Sequence, residues 1–222
     1  MWGFYFNELV NSLPFFFKGL WMTVAVSGLS LIAGTIIGFI CGIIRATGNK
    51  FLKFIIGAWV DLIRGTPFLV QIFIIFFILP SAGIELEAFP AAVIALSNLA
   101  ASFICEIVAG GILSVPRGQW EAAKATGLSP YRRLFHVVLP QAMRVILPPL
   151  VGQYVLLIKD SSVVSVIGVM DLTRVGWVTV NRIPEGLMVF SLVGILYFVI
   201  SYPLIRLSNR LEKKMATQQV ML

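Results

Sequence analysis

Residues 19–44 read GLWMTVAVSGLSLIAGTIIGFICGII, 26 positions without a charged side chain. As a helix this stretch extends about 39 Å, enough for the ~30 Å hydrocarbon core of a bilayer. Lipid offers no partner to backbone N–H and C=O groups, so a lone apolar segment of this length satisfies them internally as a helix. The pattern recurs down the chain. A second span lies within Phe54–Pro80, with Asp61 and Arg64 near its start. A third runs from Ala88 to about Leu113 and carries Glu106. A fourth runs from Val145 to about Met170 and is interrupted by Lys159-Asp160, where a helix can break and expose backbone dipoles. The fifth, Gly186–Ile205, has no charge. The expected fold is all-α and integral to the membrane, with five transmembrane helices.

Composition agrees. Of 222 residues 59% are hydrophobic and only 12% charged, against about 25% charged in soluble domains. Orientation follows from the 17 Lys and Arg residues. Three segments that fall on one face hold twelve of them: Arg45, Lys50 and Lys53 after span one, Arg117, Lys124, Arg132, Arg133 and Arg144 after span three, and Arg206, Arg210, Lys213 and Lys214 after span five. The link after span two has only Glu85 and Glu87, and Asp171 and Glu185 offset Arg174 and Arg182 after span four. The positive-inside rule places the basic face in the cytoplasm, the N-terminus outside and the C-terminus inside. The net charge of +7 is therefore a topology signal and not a nucleic-acid footprint.

Other functional classes find little support. Cys41 and Cys105 sit inside apolar runs and form no spaced framework. The first apolar run is too long for a cleavable signal peptide and no basic region precedes it. A Gly-Lys-Ser/Thr phosphate loop is absent, so any ATP hydrolysis falls to another chain. There is no set for covalent catalysis or metal binding, and His136 stands alone in a loop. Phe4–Lys18 mixes aromatic and aliphatic residues with Asn7, Glu8 and Asn11. Two readings stand for it: a short amphipathic helix in the outer interface, or a plain leader into the first span.

The most informative polar stretch is Val115–Pro140. Pro116 suits the first turn of a helix, and Gln119–Thr126 are mostly strong helix formers. Gly127 fits the position just past a helix end, where positive φ is wanted. Ser129-Pro130 restarts a helix as cap and first residue, with Tyr131, Leu134, Phe135 and Val138 on one face. Pro140 is expected to stop it.

Glu121, Ala122, Ala123, Gly127, Leu139 and Pro140, at these offsets, resemble the cytoplasmic coupling loop of ABC importer permeases. Arg64-Gly65-Thr66-Pro67 with Gln71, Glu106 with Gly110-Gly111-Ile112, Val115-Pro116 with Gly118-Gln119, and Lys159-Asp160-Ser161-Ser162 resemble the polar amino acid branch of that family. Ala109 departs from the Arg usual there, and Phe103 and Cys105 from Tyr and Ala. The resemblance implies a type I importer transmembrane fold with cytoplasmic coupling helices. Its expected boundaries are a periplasmic segment over 1–18, a transmembrane domain over 19–208 with its coupling loop at about 114–140, and a cytoplasmic tail over 209–222. It implies a bacterial inner-membrane location and a solute such as histidine, arginine, glutamine, glutamate or cystine. The implied partners are a second permease, identical or closely homologous, two cytoplasmic ATPases that bind the ATP, and a periplasmic or lipid-anchored solute-binding protein. In the family the loop docks on the ATPase. The contact falls here on Glu121, Ala122, Ala123 and Gly127, flanked by Arg117 and Arg132, with the small Ala pair letting the helix sit close in a groove.

Charges within spans are costly and face a cavity or a partner. Asp61 and Arg64, three apart on one helix face, read as a structural ion pair. Glu106 reads as deep in span three with no local cation. For Glu106, Lys159 and Asp160, solute contact and structural polar packing both stand. Lys159 with Glu106 or Asp160 supplies the cation and anion that a zwitterion needs. Gln71, Asn98 and Ser161 complete the expected solute path. The rival is a self-contained ion-coupled transporter or channel, which leaves the Glu121–Pro140 loop unexplained.

The charge asymmetry generates a direct test. In a background lacking Cys41 and Cys105, single cysteines at positions 11 and 85 should react with an impermeant reagent from outside, and those at 50, 132 and 213 only from inside. External labelling at 132 would overturn both the topology and the coupling-loop assignment.

Overall fold

A computed structural model describes residues 2–219, with side-chain environments for residues 5–215. Among the described residues there are helices and short connections but no strand. In chain order they are α1 (Trp2–Asn11), α2 (Leu13–Thr47), α3 (Lys50–Gly65), α4 (Phe68–Phe73), α5 (Ala88–Leu113), α6 (Arg117–Ala125), α7 (Pro130–Arg133), α8 (Leu139–Asp160), α9 (Leu172–Val180) and α10 (Gly186–Gln219). Four continuous helical stretches, Leu13–Thr47, Ala88–Leu113, Pro130–Ile167 and Gly186–Met215, are long and apolar enough to cross a bilayer. A bent pair, Lys50–Gly65 with Phe68–Ala82, whose axes meet at 103°, makes a fifth span when taken together.

The central contact is α2 against α5. Gly34, Gly38 and Gly42 are buried at four-residue spacing along one face of α2. A Cβ on Gly34 would stand 2.5 Å from the Ala100 Cβ, on Gly38 2.7 Å from the Ile104 Cβ, and on Gly42 2.6 Å from the Val108 Cβ. Small residues let helix backbones approach where lipid supplies no hydrophobic drive for association. Side-chain hydrogen bonds cross the same core: Ser30 Oγ donates to the Val93 carbonyl at 3.3 Å, and Thr35 meets the Tyr154 hydroxyl at 3.0 Å. The outer face of α2 keeps Trp21, Ile32, Ile36 and Ile40 exposed, as a lipid-facing surface does.

A second apolar cluster joins Leu9 of α1 and Phe16 of α2 to Leu172 and Val175 of α9 and Val189 and Val193 of α10. Its polar anchor is Asp171. The carboxylate caps α9, accepting from the backbone N–H of Arg174 at 2.9 Å and of Thr173 at 3.2 Å, and it accepts from the Tyr197 hydroxyl at 3.1 Å. Burial raises its pKa above the usual carboxylate range, against these hydrogen bonds, which lower it.

Several boundaries differ from the sequence expectation. The second span is broken at Thr66-Pro67. Proline pushes the residue before it out of the helical region, and Thr66 is extended at φ −115°, ψ 145°. Pro140 does not end the loop's second helix. A π turn over Leu134–Val138 precedes it, and the helix runs unbroken into α8. The wider turn accommodates the proline ring, and the Gln141 side chain donates to the Val137 carbonyl at 2.8 Å. Pro116 precedes the first turn of α6 as its cap. Residues 2–11 form α1, apart from α2, so the segment before span one divides at Ser12. Phe4's side chain lies outside the described residues. The basic tail continues α10 as helix through Gln219, and residues 220–222 lie outside the described residues.

The α2/α5 seam predicts a position-specific response. Gly38→Val should lower the thermal unfolding midpoint of the detergent-solubilised protein, by overpacking worth about 1–3 kcal/mol. Gly28, with nothing within 4 Å of its Cβ position, is the control: Gly28→Ala should leave the midpoint unchanged. Equal midpoints for Gly38→Val and wild type would remove the seam from the account.

Candidate functional site: an intramembrane polar cluster and a coupling loop

The bend between α3 and α4 has its own wiring. Breaking the helix at Pro67 frees carbonyls that lipid cannot satisfy. Gln71, buried one turn into α4, turns its Nε2 back onto them: it lies 2.7 Å from the Ile63 carbonyl, 3.0 Å from the Thr66 carbonyl and 3.0 Å from Thr66 Oγ1. Thr66 Oγ1 in turn donates to the Leu62 carbonyl at 2.9 Å. The Arg64-Gly65-Thr66-Pro67…Gln71 pattern is thus a break with its own donor.

Three helices meet at Glu106. Arg45, near the end of α2, places Nη2 at 2.8 Å from Glu106 Oε1, and Arg64, at the end of α3, places Nη1 at 3.5 Å from Oε2. Arg64 also stacks over the Phe103 ring, 5.1 Å from its centroid. This overturns two sequence expectations. Arg64 pairs across helices with Glu106 and not with Asp61, which is exposed. Glu106 has two cations, both far away in sequence, and it lies two turns from the end of α5 and not deep in the span. Ala109 is buried, so the counter-charges come from other helices. One carboxylate with two guanidinium groups carries a net positive charge.

The other expected path residues are placed apart from this cluster. Asn98 accepts from Trp59 Nε1 at 3.0 Å, linking α5 to α3. Ser161 is buried and donates to the Ile158 carbonyl at 2.7 Å. Lys159 is exposed and Asp160 half-buried where α8 ends and tightens into a narrower turn over Ser161–Ile167. Neither belongs to an ion pair with Glu106. Sequence reasoning missed Arg45 and Trp59, whose role rests on contacts across helices, and it missed α9. A signal for α9 was available in Asp171-Leu172-Thr173, a helix-start pattern.

The loop after α5 forms as its local chemistry dictates. Gly127 has φ +77°. Its N–H bonds to the Lys124 carbonyl at 3.0 Å, and the Leu128 N–H reaches back to the Ala123 carbonyl at 3.3 Å. These are the two bonds of the glycine-terminated helix end. Ser129 Oγ accepts from the Arg132 N–H at 3.4 Å. Glu121, Ala122, Arg117 and Arg132 are exposed, whereas Ala123 is buried in the protein's own core. Of the Ala pair, only Ala122 is therefore free to meet a partner. Gln141 on α8 also donates to Gln119 on α6 at 3.1 Å, tying the loop to the following span.

A bent second span, an ion cluster joining three helices and a helix–turn–helix loop between the third and fourth spans together describe a transporter subunit. Residues 34–217 match the family described as binding-protein-dependent transport system inner membrane component, and the chain belongs to that family. The L-cystine transport system permease protein TcyB of Bacillus subtilis is 36% identical over 203 residues, covering 91% of this chain and 87% of that one. The glutamine transport system permease protein GlnP of Escherichia coli is 35% identical over 214 residues, covering 96% and 98%. Among solved structures, one described as an amino acid ABC transporter with histidines superposes with a TM-score of 0.86 at 31% identity, covering 94% of this chain and 98% of that one. The protein is thus a multi-pass inner-membrane permease component, not an enzyme, and ATP hydrolysis belongs to a separate subunit. The self-contained transporter or channel reading is set aside.

The bend generates a prediction. Gln71→Leu keeps the volume nearly constant and strips the donor from the Ile63 and Thr66 carbonyls, each of which then costs about 1–3 kcal/mol if left unpaired. The purified variant should unfold at lower temperature than wild type. An unchanged midpoint would show that the bend does not need its donor.

Proposed function

We propose that this chain is one of two paired permease subunits of a binding-protein-dependent importer for a polar amino acid. The observation that carries the proposal is the exposed Glu121-Ala122 face on a helix locked by Gly127 and bonded through Gln119–Gln141 to the next span. Relatives named for cystine and glutamine transport support the substrate class. The second subunit is a copy of this chain or a close homologue. Two cytoplasmic ATPases grip the loop, and a periplasmic or lipid-anchored binding protein delivers solute to the opposite face. The basic face is cytoplasmic.

In this reading, closure of the ATPases on ATP displaces α6. The movement passes through Gln141 to α8, and the spans switch the side to which the path opens. Arg117 and Arg132 flank the docking face. Lys159, exposed, and Asp160, half-buried, at the end of α8 act on the carboxylate and ammonium of the solute. Glu106, held by Arg45 and Arg64, Gln71 at the bend, Asn98 through Trp59, and buried Ser161 set the helices that shape the path.

Reconstitution with the ATPase and solute-binding protein of a polar amino acid importer tests the reading. Glu121→Lys should cut ATP-dependent amino acid uptake by about tenfold or more, the equivalent of one lost charge-assisted contact, while the thermal midpoint of the permease alone stays at the wild-type value. Full uptake by the variant would refute docking at Glu121.

A further inference from the structure

A cavity of about 590 Å³ lies where the ends of α2 and α5 meet α6 and α7, and Arg117, Trp120, Tyr131, Arg133, Ile112 and Leu113 are among the residues that line it. No acidic side chain lines it. Its volume falls within the roughly 300–1,000 Å³ of small-ligand sites. The lining is divided by chemistry: two guanidinium groups, two amphipathic aromatic rings, and apolar side chains from the helix ends. Arg133 brings a specific deficiency. Its Nε is closed off from solvent and has no hydrogen-bond partner, and a buried N–H without an acceptor demands one. Leu113 and Tyr131 are largely exposed at the cavity edge. Neither Glu121 nor Ala122, the free face of the coupling helix, lines it.

We propose that this cavity holds the phosphate headgroup of an anionic phospholipid. Guanidinium forks match phosphate oxygens and are less strongly hydrated than ammonium groups. Trp and Tyr sit at headgroup level in membrane proteins, and basic pockets beside transmembrane helices take acidic lipid headgroups. The Arg117 and Arg133 guanidinium groups that line the cavity meet the phosphate oxygens through nitrogens other than the closed-off Arg133 Nε, and the acyl chains leave over Leu113 into the bilayer. Both walls of the cavity belong to the coupling loop and to the helix ends it moves against. A bound lipid therefore bridges the moving part and the fixed part, which makes the lipid a regulator of coupling. The inference requires only that the chain lies in a bilayer, so it can fail without touching the proposed transport function.

The test is native mass spectrometry of the purified full-length protein, with whatever subunits accompany it, in detergent containing equal amounts of phosphatidylglycerol and phosphatidylcholine. The wild type should retain phosphatidylglycerol about tenfold over phosphatidylcholine, and Arg133→Gln and Arg117→Gln should each erase the preference, as loss of one charge-assisted contact implies. Arg133→Lys, which keeps the charge and loses the fork, should fall between. Occupancy is counted on monodisperse protein only, and the wild-type comparison decides by itself if neither Gln variant can be purified. Equal retention of the two lipids overturns the proposal, as does an unchanged preference in both Gln variants. Displacement by free glycerol phosphate at equal concentration overturns the lipid as source. Loss of an accompanying subunit with lipid retained assigns the cavity to a protein contact and overturns the proposal as well.

Discussion

The close approach of α2 to α5 is the constraint from which the rest of the structure follows. Three glycines on one face of α2 bring its backbone within van der Waals reach of Ala100, Ile104 and Val108. In lipid, apolar side chains gain nothing by leaving solvent, so helix association rests on close packing and polar contacts. The seam sets where α5 runs, and α5 then positions the rest: Glu106 within reach of Arg45 and Arg64, Asn98 within reach of Trp59, and Ile112 against Ile146 of α8 in one core. Three helices are tied by charges and hydrogen bonds that only this spacing brings into range.

The chain departs from regular helix at several places, and at most of them a side chain or a glycine turn takes over the freed backbone bonds. Gln71 serves the carbonyls freed at the Thr66-Pro67 break, Gln141 serves Val137 beside Pro140, Asp171 caps α9, and Gly127 closes α6 with its own backbone. Freed backbone groups in or near hydrocarbon are too costly to leave alone. The irregular points are therefore defined geometries: the bend in the second span, the π turn before α8, and the end of α8 at Lys159-Asp160. A π turn is a rare conformation that recurs at functional positions. Here it joins the helix–turn–helix loop to the helix that crosses the membrane.

Charge is used in two ways. At Glu106 it is neutralised in part by cations from two other helices, an arrangement that holds elements together. At the helix ends beside α6 and α7 it is left in excess, with Arg117 and Arg133 around one cavity. Excess positive charge on this side is what the positive-inside rule describes. The structure adds that some of it is gathered around a concave surface, where it can act on a ligand and not only on the membrane potential of the leaflet.

Much of this was legible in the chain itself. Runs of 20 or more uncharged residues dictate membrane helices because the bilayer leaves the backbone no other choice. The loop could be read nearly residue by residue, since Gly127 and Ser129 act over one helical turn. Interactions within a turn are encoded locally, and a pass along the chain finds them. Interactions between turns of different helices are not. The partners of Glu106 lie 61 and 42 residues before it, so the sequence offered Asp61 to Arg64 and left Glu106 alone. Pro140 was read as a stop because proline breaks a helix unless something compensates, and the compensation, a widened turn and the Gln141 side chain, exists only in three dimensions. Likewise Ala123 looked like half of a partner's footprint until the fold buried it. Local backbone chemistry and the solvent determine helices and caps; which side chains meet is decided by the packing of α2 on α5, because only that contact sets the distances over which charges and donors act.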